Sequence, residues 1–238
     1  MEPKSSYTYL ESKVTDIYAY DVDVHITDFP ASADRKWLYF FSLQVNFTHH
    51  DEWAHGGFQW SGTPEFQDNN NKGVNWGGKS DWEEHGGVGV NNTPFSWECD
   101  RWYRYRVWRV DEDSEGYHRW LFAVMDYATN VEHRFGMVRT KSQSIASAVV
   151  FSETGYGVQC DSPTTRVEWR SPCLHSPSGQ STPHRIVANY NGTCANPNNT
   201  NQGLLSSSPI SWFHETNTKR IINPNVCIWP TSSSLTNV

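Results

Sequence analysis

Alternation of side-chain character with a period of two, recurring in segment after segment, is what most restricts how this chain folds. No stretch keeps an apolar helical period for three turns. From Val14 to Phe29, Tyr18, Tyr20, Val22, Val24 and Ile26 fall on one side, while Ala19, Asp21, Asp23, His25 and Thr27 fall on the other. From Trp37 to Thr48, the alternation points Tyr39, Phe41, Leu43, Val45 and Phe47 inward and turns Phe40, Ser42, Gln44 and Asn46 away. The segments Trp102 to Asp111 and Tyr117 to Tyr127, joined by EDSEG, read as a hairpin. Glu132 to Thr140, Ala148 to Gly155 and Thr164 to Ser171 extend the series to about ten strands. An all-β chain follows, a single antiparallel β-sandwich of jelly-roll type. Residues 1–172 are expected to form the sandwich, with Met1 to Lys13 as a polar lead-in. Residues 173–238, where Ser, Pro, Asn and Thr dominate, are expected to form an irregular, disulfide-linked extension packed on the same domain.

The five cysteines, Cys99, Cys160, Cys173, Cys194 and Cys227, contain no CxxC pair. Their scatter argues against a structural zinc site and for disulfides in an oxidising compartment, which points to a secreted or extracellular protein. Proximity in sequence suggests Cys160 with Cys173 and Cys194 with Cys227, leaving Cys99 unpaired. Sequons beginning at Asn46, Asn91, Asn191 and Asn198 agree with secretion, although a chain rich in Asn, Ser and Thr produces such triplets by chance. No apolar run is long enough to span a bilayer, and Met1 to Glu11 lacks the apolar core of a signal peptide, so an exported form implies a leader already removed. Net charge is -7 with both signs interspersed, and no basic stripe marks a nucleic-acid binder. An oligomeric state is not specified.

Within this frame the stretch WAHGGFQWSGTPEFQDNNNKGVNWGG, Trp53 to Gly78, carries the chemistry. If Trp53 to Ser61 and Lys72 to Gly78 are strands, Trp53, His55, Gly57, Gln59 and Ser61 share one face, and Ala54, Gly56, Phe58 and Trp60 share the other, a plausible core layer. The first face offers an imidazole, an amide and an indole beside bare backbone. With 12 Trp, 11 Tyr and 11 Phe at a mean hydropathy of -0.68, some of the aromatic residues belong at the surface. Indoles pack on the apolar faces of sugar rings, and amides meet their hydroxyls. Trp53, Gln59, Trp60, Asn75, Trp76 and Arg109 are therefore the candidate substrate contacts, with Trp82 beside them.

Acid/base work needs two ionisable groups across a groove. Glu153, in the apolar strand VVFSETG, is the preferred acid because burial would raise its pKa, and His55 is its preferred partner. The competing reading pairs Glu153 with Arg109 or Arg106. The cluster His49, His50, Asp51, Glu52 and His55 and the later Asp81, Glu83, Glu84 and His85 match no specific metal spacing, and a solvated turn explains HHDE more simply. No cofactor is implied beyond a structural calcium. The glycine pairs Gly56-Gly57, Gly77-Gly78 and Gly86-Gly87 are followed by no helix and so are not phosphate loops.

The order of segments WYRYRVWRVD, HRWLFAVMDYATN, HRFGMVRT and VVFSETG, about Trp102 to Glu153, resembles the concanavalin-like lectin and glucanase superfamily. The likeness is one of fold over about a fifth to a quarter of the chain. It implies a carbohydrate-binding or carbohydrate-cleaving protein with the sugar on a concave sheet. The E-x-D-x-x-E cluster of the hydrolase branch is absent, the nearest alternation being Asp21-Val-Asp23, and the strand motifs of the alginate-lyase branch are absent too, so no catalytic residue carries over. The expectation is a secreted protein binding a glycan or polysaccharide, with a glycoside hydrolase or polysaccharide lyase slightly favoured. The alternatives are a non-catalytic lectin-like module and an extracellular adhesion or structural protein.

Overall fold

The computed structural model describes residues 4–30, 37–49, 51–79, 90–155 and 157–230. The strands are β1 (Lys4–Glu11), β2 (Ala19–Asp28), β3 (Leu38–Phe47), β4 (Trp53–Trp60), β5 (Lys72–Lys79), β6 (Val90–Pro94), β7 (Trp102–Glu112), β8 (His118–Asp126), β9 (Val131–Thr140), β10 (Ile145–Gly155), β11 (Arg166–Ser176), β12 (Gly179–Ser181), β13 (Arg185–Asn191), β14 (Thr200–Ser207), β15 (Ile210–Thr216) and β16 (Val226–Trp229). They make two antiparallel sheets. The first runs β16-β13-β1-β10-β3-β4-β5-β6. The second runs β14-β15-β11-β2-β7-β8-β9, with β12 paired to β11. A four-residue helix, Pro64–Gln67, lies in the β4–β5 connection.

Parity decides which residues face the core. Tyr39, Phe41, Leu43 and Val45 of β3 are buried inward with Ala54 and Phe58 of β4 and Val74 and Trp76 of β5. Across the interior, Phe58 meets Tyr105 edge-on at 5.1 Å and Trp76 stacks on Phe122 at 5.3 Å. The Tyr105 hydroxyl ties the sheets together, accepting from the Phe58 amide at 2.8 Å and donating to the Phe41 carbonyl at 3.1 Å. Gly56 is required here, since a Cβ on it would lie 2.7 Å from the Phe122 ring.

Three expectations are corrected. Met1 to Lys13 is not a loose lead-in over its described part: Lys4–Glu11 is an interior strand of the first sheet, between β10 and β13. Its inward positions are Ser6, Thr8 and Leu10, too polar to read as a core stripe. They are stable inside because Thr8 Oγ1 donates to Gln202 Oε1 at 2.8 Å and meets His214 Nε2 at 2.7 Å, while His214 Nδ1 meets Ser152 Oγ at 3.0 Å. The same network explains the second correction. The tail is no irregular cover, because β13 and β16 extend the first sheet and β14 and β15 the second. The strand orders establish two antiparallel sheets, and the jelly-roll arrangement is not established by them.

Third, the disulfide joins Cys160 to Cys194, with Cys99, Cys173 and Cys227 free. Sequence proximity misleads because the loops after β10 and after β13 meet at one end of the molecule, where Asn199 Nδ2 also donates to the Cys160 carbonyl at 2.7 Å. No helix among the described residues is long and apolar enough to cross a membrane.

Candidate functional site

The outward face of the first sheet is set by the register of its strands. One row across it reads Ser5, Glu153, Phe40, Gln59, Gly73, the next Tyr7, Phe151, Ser42, Gly57, Asn75, Asn92, and a third Tyr9, Val149, Gln44, His55, Gly77. These residues lie on the side away from the second sheet, yet Phe40 is 5% exposed, Phe151 3%, and Gln59 and Asn75 8% each. Such burial outside the core means that neighbouring groups enclose these side chains, and we read the enclosed face as a recess.

An aromatic cluster forms its floor. The His55 ring lies 5.2 Å from Phe40, 5.9 Å from Phe151 and 5.1 Å from Trp53, and Phe151 continues to Tyr7 at 5.6 Å. Enclosure of this kind penalises the imidazolium, so burial pushes His55 down to about 4 and Asn75 beside it offsets only part of that. His55 is therefore neutral near pH 7. Glu153 responds oppositely, burial raising its pKa above the ordinary carboxylate range. Burial also raises the Tyr7 hydroxyl, and the charge of Glu153 adds to the effect.

Glu153 has no cationic partner among the described residues. The two arginines proposed to neutralise it are engaged in the second sheet: Arg106 bonds Asp21 through Nε and Nη2 at 2.8 Å each, and Arg109 donates to the Gln143 carbonyl. Gln59 and Glu153 flank Phe40 in one row, two interstrand spacings apart, which is about 10 Å between Cα atoms. Two long side chains converge readily over that distance. The Asn75 amide donates to Asn92 Oδ1 at 2.9 Å, and the Asn75 side chain also stands in hydrogen-bonding reach of His55.

Trp53, His55, Gln59, Asn75 and Glu153 thus share one face, and three other candidates do not. Trp76 is 1% exposed in the core. Trp60 also points inward and packs on Phe29 at 5.2 Å. Arg109 belongs to β7 of the second sheet. Both indoles follow the parity of Phe58 and Val74, which outweighs any expectation drawn from residue type. Trp82, His50, Asp81, Glu83, Glu84, His85 and Gly86-Gly87 lie outside the described residues. In HHDE, Glu52 is buried rather than solvated, accepting from Ser142 Oγ at 2.8 Å, and His49 is exposed. Among the described residues no three His, Cys, Asp or Glu side chains are grouped to hold a metal ion. Tyr7, Phe151 and Asn92 were not anticipated at the site. The alternation Ser5, Tyr7, Tyr9 against Ser6, Thr8, Leu10 was the available signal for the first of them.

No protein-family model matches the chain, and no curated protein does either. Solved structures do. Scytalido-glutamic peptidase bound to a peptide-based transition state analog matches over 90% of this chain and 97% of that chain, with a TM-score of 0.53 and 8% identity. SCP-B, described as a member of the eqolisin family of peptidases in complex with the tripeptide Ala-Ile-His, matches over 91% and 98%, with a TM-score of 0.51 and 9% identity. Scytalido-glutamic peptidase with a transition state analog inhibitor matches over 91% and 98%, at 0.50 and 9%. At such identities the likeness is one of fold. It corrects the resemblance to the concanavalin-like superfamily, which rested on strand alternation, a property shared by any pair of packed antiparallel sheets. With it go the glycan partner, the lectin reading and the glycosidase or lyase activity, since these neighbours are peptidases.

Proposed function

We propose that the recessed face of the first sheet binds an extended polypeptide and that Glu153, assisted by Gln59, hydrolyses a peptide bond there. The observation that carries this reading is a carboxyl group and a carboxamide in one register row of a recess, neither bonded to another side chain among the described residues. The peptidase fold neighbours and their peptide ligands support it. In the proposed reaction the Glu153 carboxylate takes a proton from water as the oxygen adds to the carbonyl carbon, and the Gln59 N–H donates to the oxygen that becomes negative. The proton held by Glu153 then passes to the amide nitrogen as the C–N bond breaks, leaving a carboxylate and an amine. His55, neutral and enclosed by rings, shapes the floor and does not titrate in this cycle. An extracellular location agrees with the Cys160–Cys194 disulfide.

A digest of a denatured protein mixture, read by mass spectrometry for new termini, tests the proposal. Glu153→Gln is expected to lower the rate by about 10²-fold or more, and Gln59→Ala by about 10²-fold. Cleavage that survives Glu153→Gln unchanged refutes the assignment. A second reading, peptide capture without turnover, is favoured by the fact that Glu153 and the neutral His55 are the only ionisable groups in the three rows apart from the tyrosines. Saturable peptide binding with no new termini selects it.

A further inference from the structure

The outward face of the second sheet carries an ordered array of charges that takes no part in the proposed hydrolysis. One register row across it runs Arg170, Asp23, Arg104, Met125, Glu132, and the next places Asp21, Arg106, Ala123 and Arg134 side by side. Parity turns all of them away from the core, because Val22, Val24, Tyr103, Tyr105 and Val124 of the same strands point inward. Asp21 and Asp23 are nonetheless buried, beneath the guanidinium groups that bond them. Asp23 accepts from Arg104 Nε at 2.7 Å, the Tyr127 hydroxyl at 2.8 Å and Arg170 Nε at 3.2 Å. Asp21 accepts from Arg106 Nε and Nη2 at 2.8 Å each. Each aspartate thereby fixes the direction of an arginine that reaches solvent.

The bonding capacity left over by these contacts is gathered around one hollow. Arg104 keeps both Nη groups, and Arg106 keeps Nη1, without a hydrogen-bond acceptor among the described residues. Glu132 Oε1 accepts from Arg134 Nε at 3.3 Å, while Oε2 stands 3.8 Å from Arg106 Nη1, too far for a hydrogen bond. Arg104, Arg106 and Glu132 line a hollow of about 150 Å³ together with Met125, Tyr127 and Asn130. Pockets for drug-sized ligands measure about 300–1,000 Å³, so the occupant here is small. The side chains of Arg104 and Glu132 are 30% and 22% exposed, which leaves both open to a ligand.

Opposite charges set side by side decide the kind of ligand. A simple anion would bond the guanidiniums but meet the Glu132 carboxylate, and a simple cation would bond Glu132 but meet two guanidiniums. An α-amino acid carries a carboxylate and an ammonium group on one carbon, a spacing that suits charged neighbours 3.8 Å apart. We infer that this hollow binds a free amino acid of small side chain as its zwitterion. The carboxylate bonds Arg104 and Arg106, the ammonium group bonds Glu132, and the side chain rests against Met125 and Tyr127. Glu153 belongs to the other sheet, so the site stands whether or not a peptide bond is hydrolysed there.

The test titrates the 15N-labelled full chain with L-alanine, N-acetyl-L-alanine and L-alaninamide at constant ionic strength, read by two-dimensional NMR that includes the arginine Nε–H signals. L-alanine is expected to shift the signals of Arg104, Arg106 and Glu132 saturably. The two derivatives, each lacking one charge, should bind about tenfold or more weakly. Glu132→Gln should remove the advantage of L-alanine over N-acetyl-L-alanine, and Arg104→Gln should weaken both. Asp23 keeps Arg170 and Tyr127 in the second variant, and Glu132→Gln decides by itself if Arg104→Gln fails to fold. N-acetyl-L-alanine binding as well as L-alanine overturns recognition of the zwitterion. No saturable shift at these residues, or equal responses of parent and Glu132→Gln, overturns the site.

Discussion

Two tryptophans of similar sequence setting, Trp53 and Trp76, are assigned opposite roles by the fold, and alanine substitution separates them. Trp76 is enclosed between the sheets, stacked on Phe122 at 5.3 Å, and its indole N–H has no acceptor. Removing a buried indole costs about 3–5 kcal/mol. The orphan N–H places Trp76→Ala toward the lower end, because the substitution also removes an unsatisfied donor. For 238 residues the unfolding entropy is about 0.5 kcal/mol/K, so a loss of 3–4 kcal/mol lowers the melting temperature by about 6–8 °C. Trp53 is half-buried at the rim of the recess, 5.1 Å from His55. Its removal is expected to cost about 1 kcal/mol and shift melting by about 2 °C. Calorimetric melting of both variants, alongside peptide binding, provides the readout. Peptide affinity should fall for Trp53→Ala, whereas Trp76→Ala should bind normally at a temperature where it is folded. Equal melting shifts, or lost binding in a fully folded Trp76→Ala, would refute the parity argument that places these side chains.

Three further outcomes follow from the same geometry. Gly57→Ala puts a Cβ 1.9 Å from the Phe41 carbonyl oxygen and 2.6 Å from the Ser42 Cα, both main-chain atoms, so β3 and β4 must separate. A loss of about 3 kcal/mol, seen as a drop of about 6 °C, is expected, and a variant melting like the parent contradicts the register. Burial lowers His55 to about 4 and His214 to about 3, so between the ordinary value of 6.5 and those values the unfolded chain binds more protons. The resulting stability is complete above pH 6.5 and lost as pH falls. His214→Gln should flatten the acid side of a melting-temperature profile, and an unchanged slope counts against a neutral buried His214. Hydrolysis needs ionised Glu153, whose pKa burial raises, so kcat/KM should fall on acidification with a midpoint above 4.5. A midpoint below that value removes Glu153 as the base.

Legibility in the sequence followed hydrophobic contrast. The outward set Trp53, His55, Gln59 could be read because the inward set Ala54, Gly56, Phe58 is apolar or small. β1 and β14 could not, because their inward residues include Thr8 and Gln202, which satisfy each other across the interface and look like loop residues in isolation. The indoles of Trp60 and Trp76 were assigned to the site on chemical suitability, although their own parity placed them in the core. Strand order was beyond reach. The pairing of β10 with both β1 and β3, which sets Glu153 in a row with Gln59, joins segments more than 100 residues apart, and alternation carries no information about which strands are neighbours.

The recess also explains why Glu153 stays unpaired in a folded protein. An enclosed ionisable group without a partner costs free energy, and the desolvated Glu153 carboxyl sets that cost against a typical net stability of about 5–15 kcal/mol. A loosely packed sheet would relax until that group reached water. Here it cannot, because β10, β3, β4 and β5 are pinned from beneath. The Tyr105 hydroxyl clamps β3 to β4 at Phe41 and Phe58, and His214 holds Ser152, the residue next to Glu153, from inside the sandwich. Adjacent residues on β10 therefore divide two tasks, with Ser152 anchoring the strand to the interior while Glu153 is held desolvated on the outside. Loosening the anchor should lower the Glu153 pKa toward its ordinary value. Ser152→Ala, by leaving His214 Nδ1 without its partner, is expected to shift the acid limb of kcat/KM downward even though residue 152 never meets the substrate, and an unmoved limb would show that the two faces of β10 act independently.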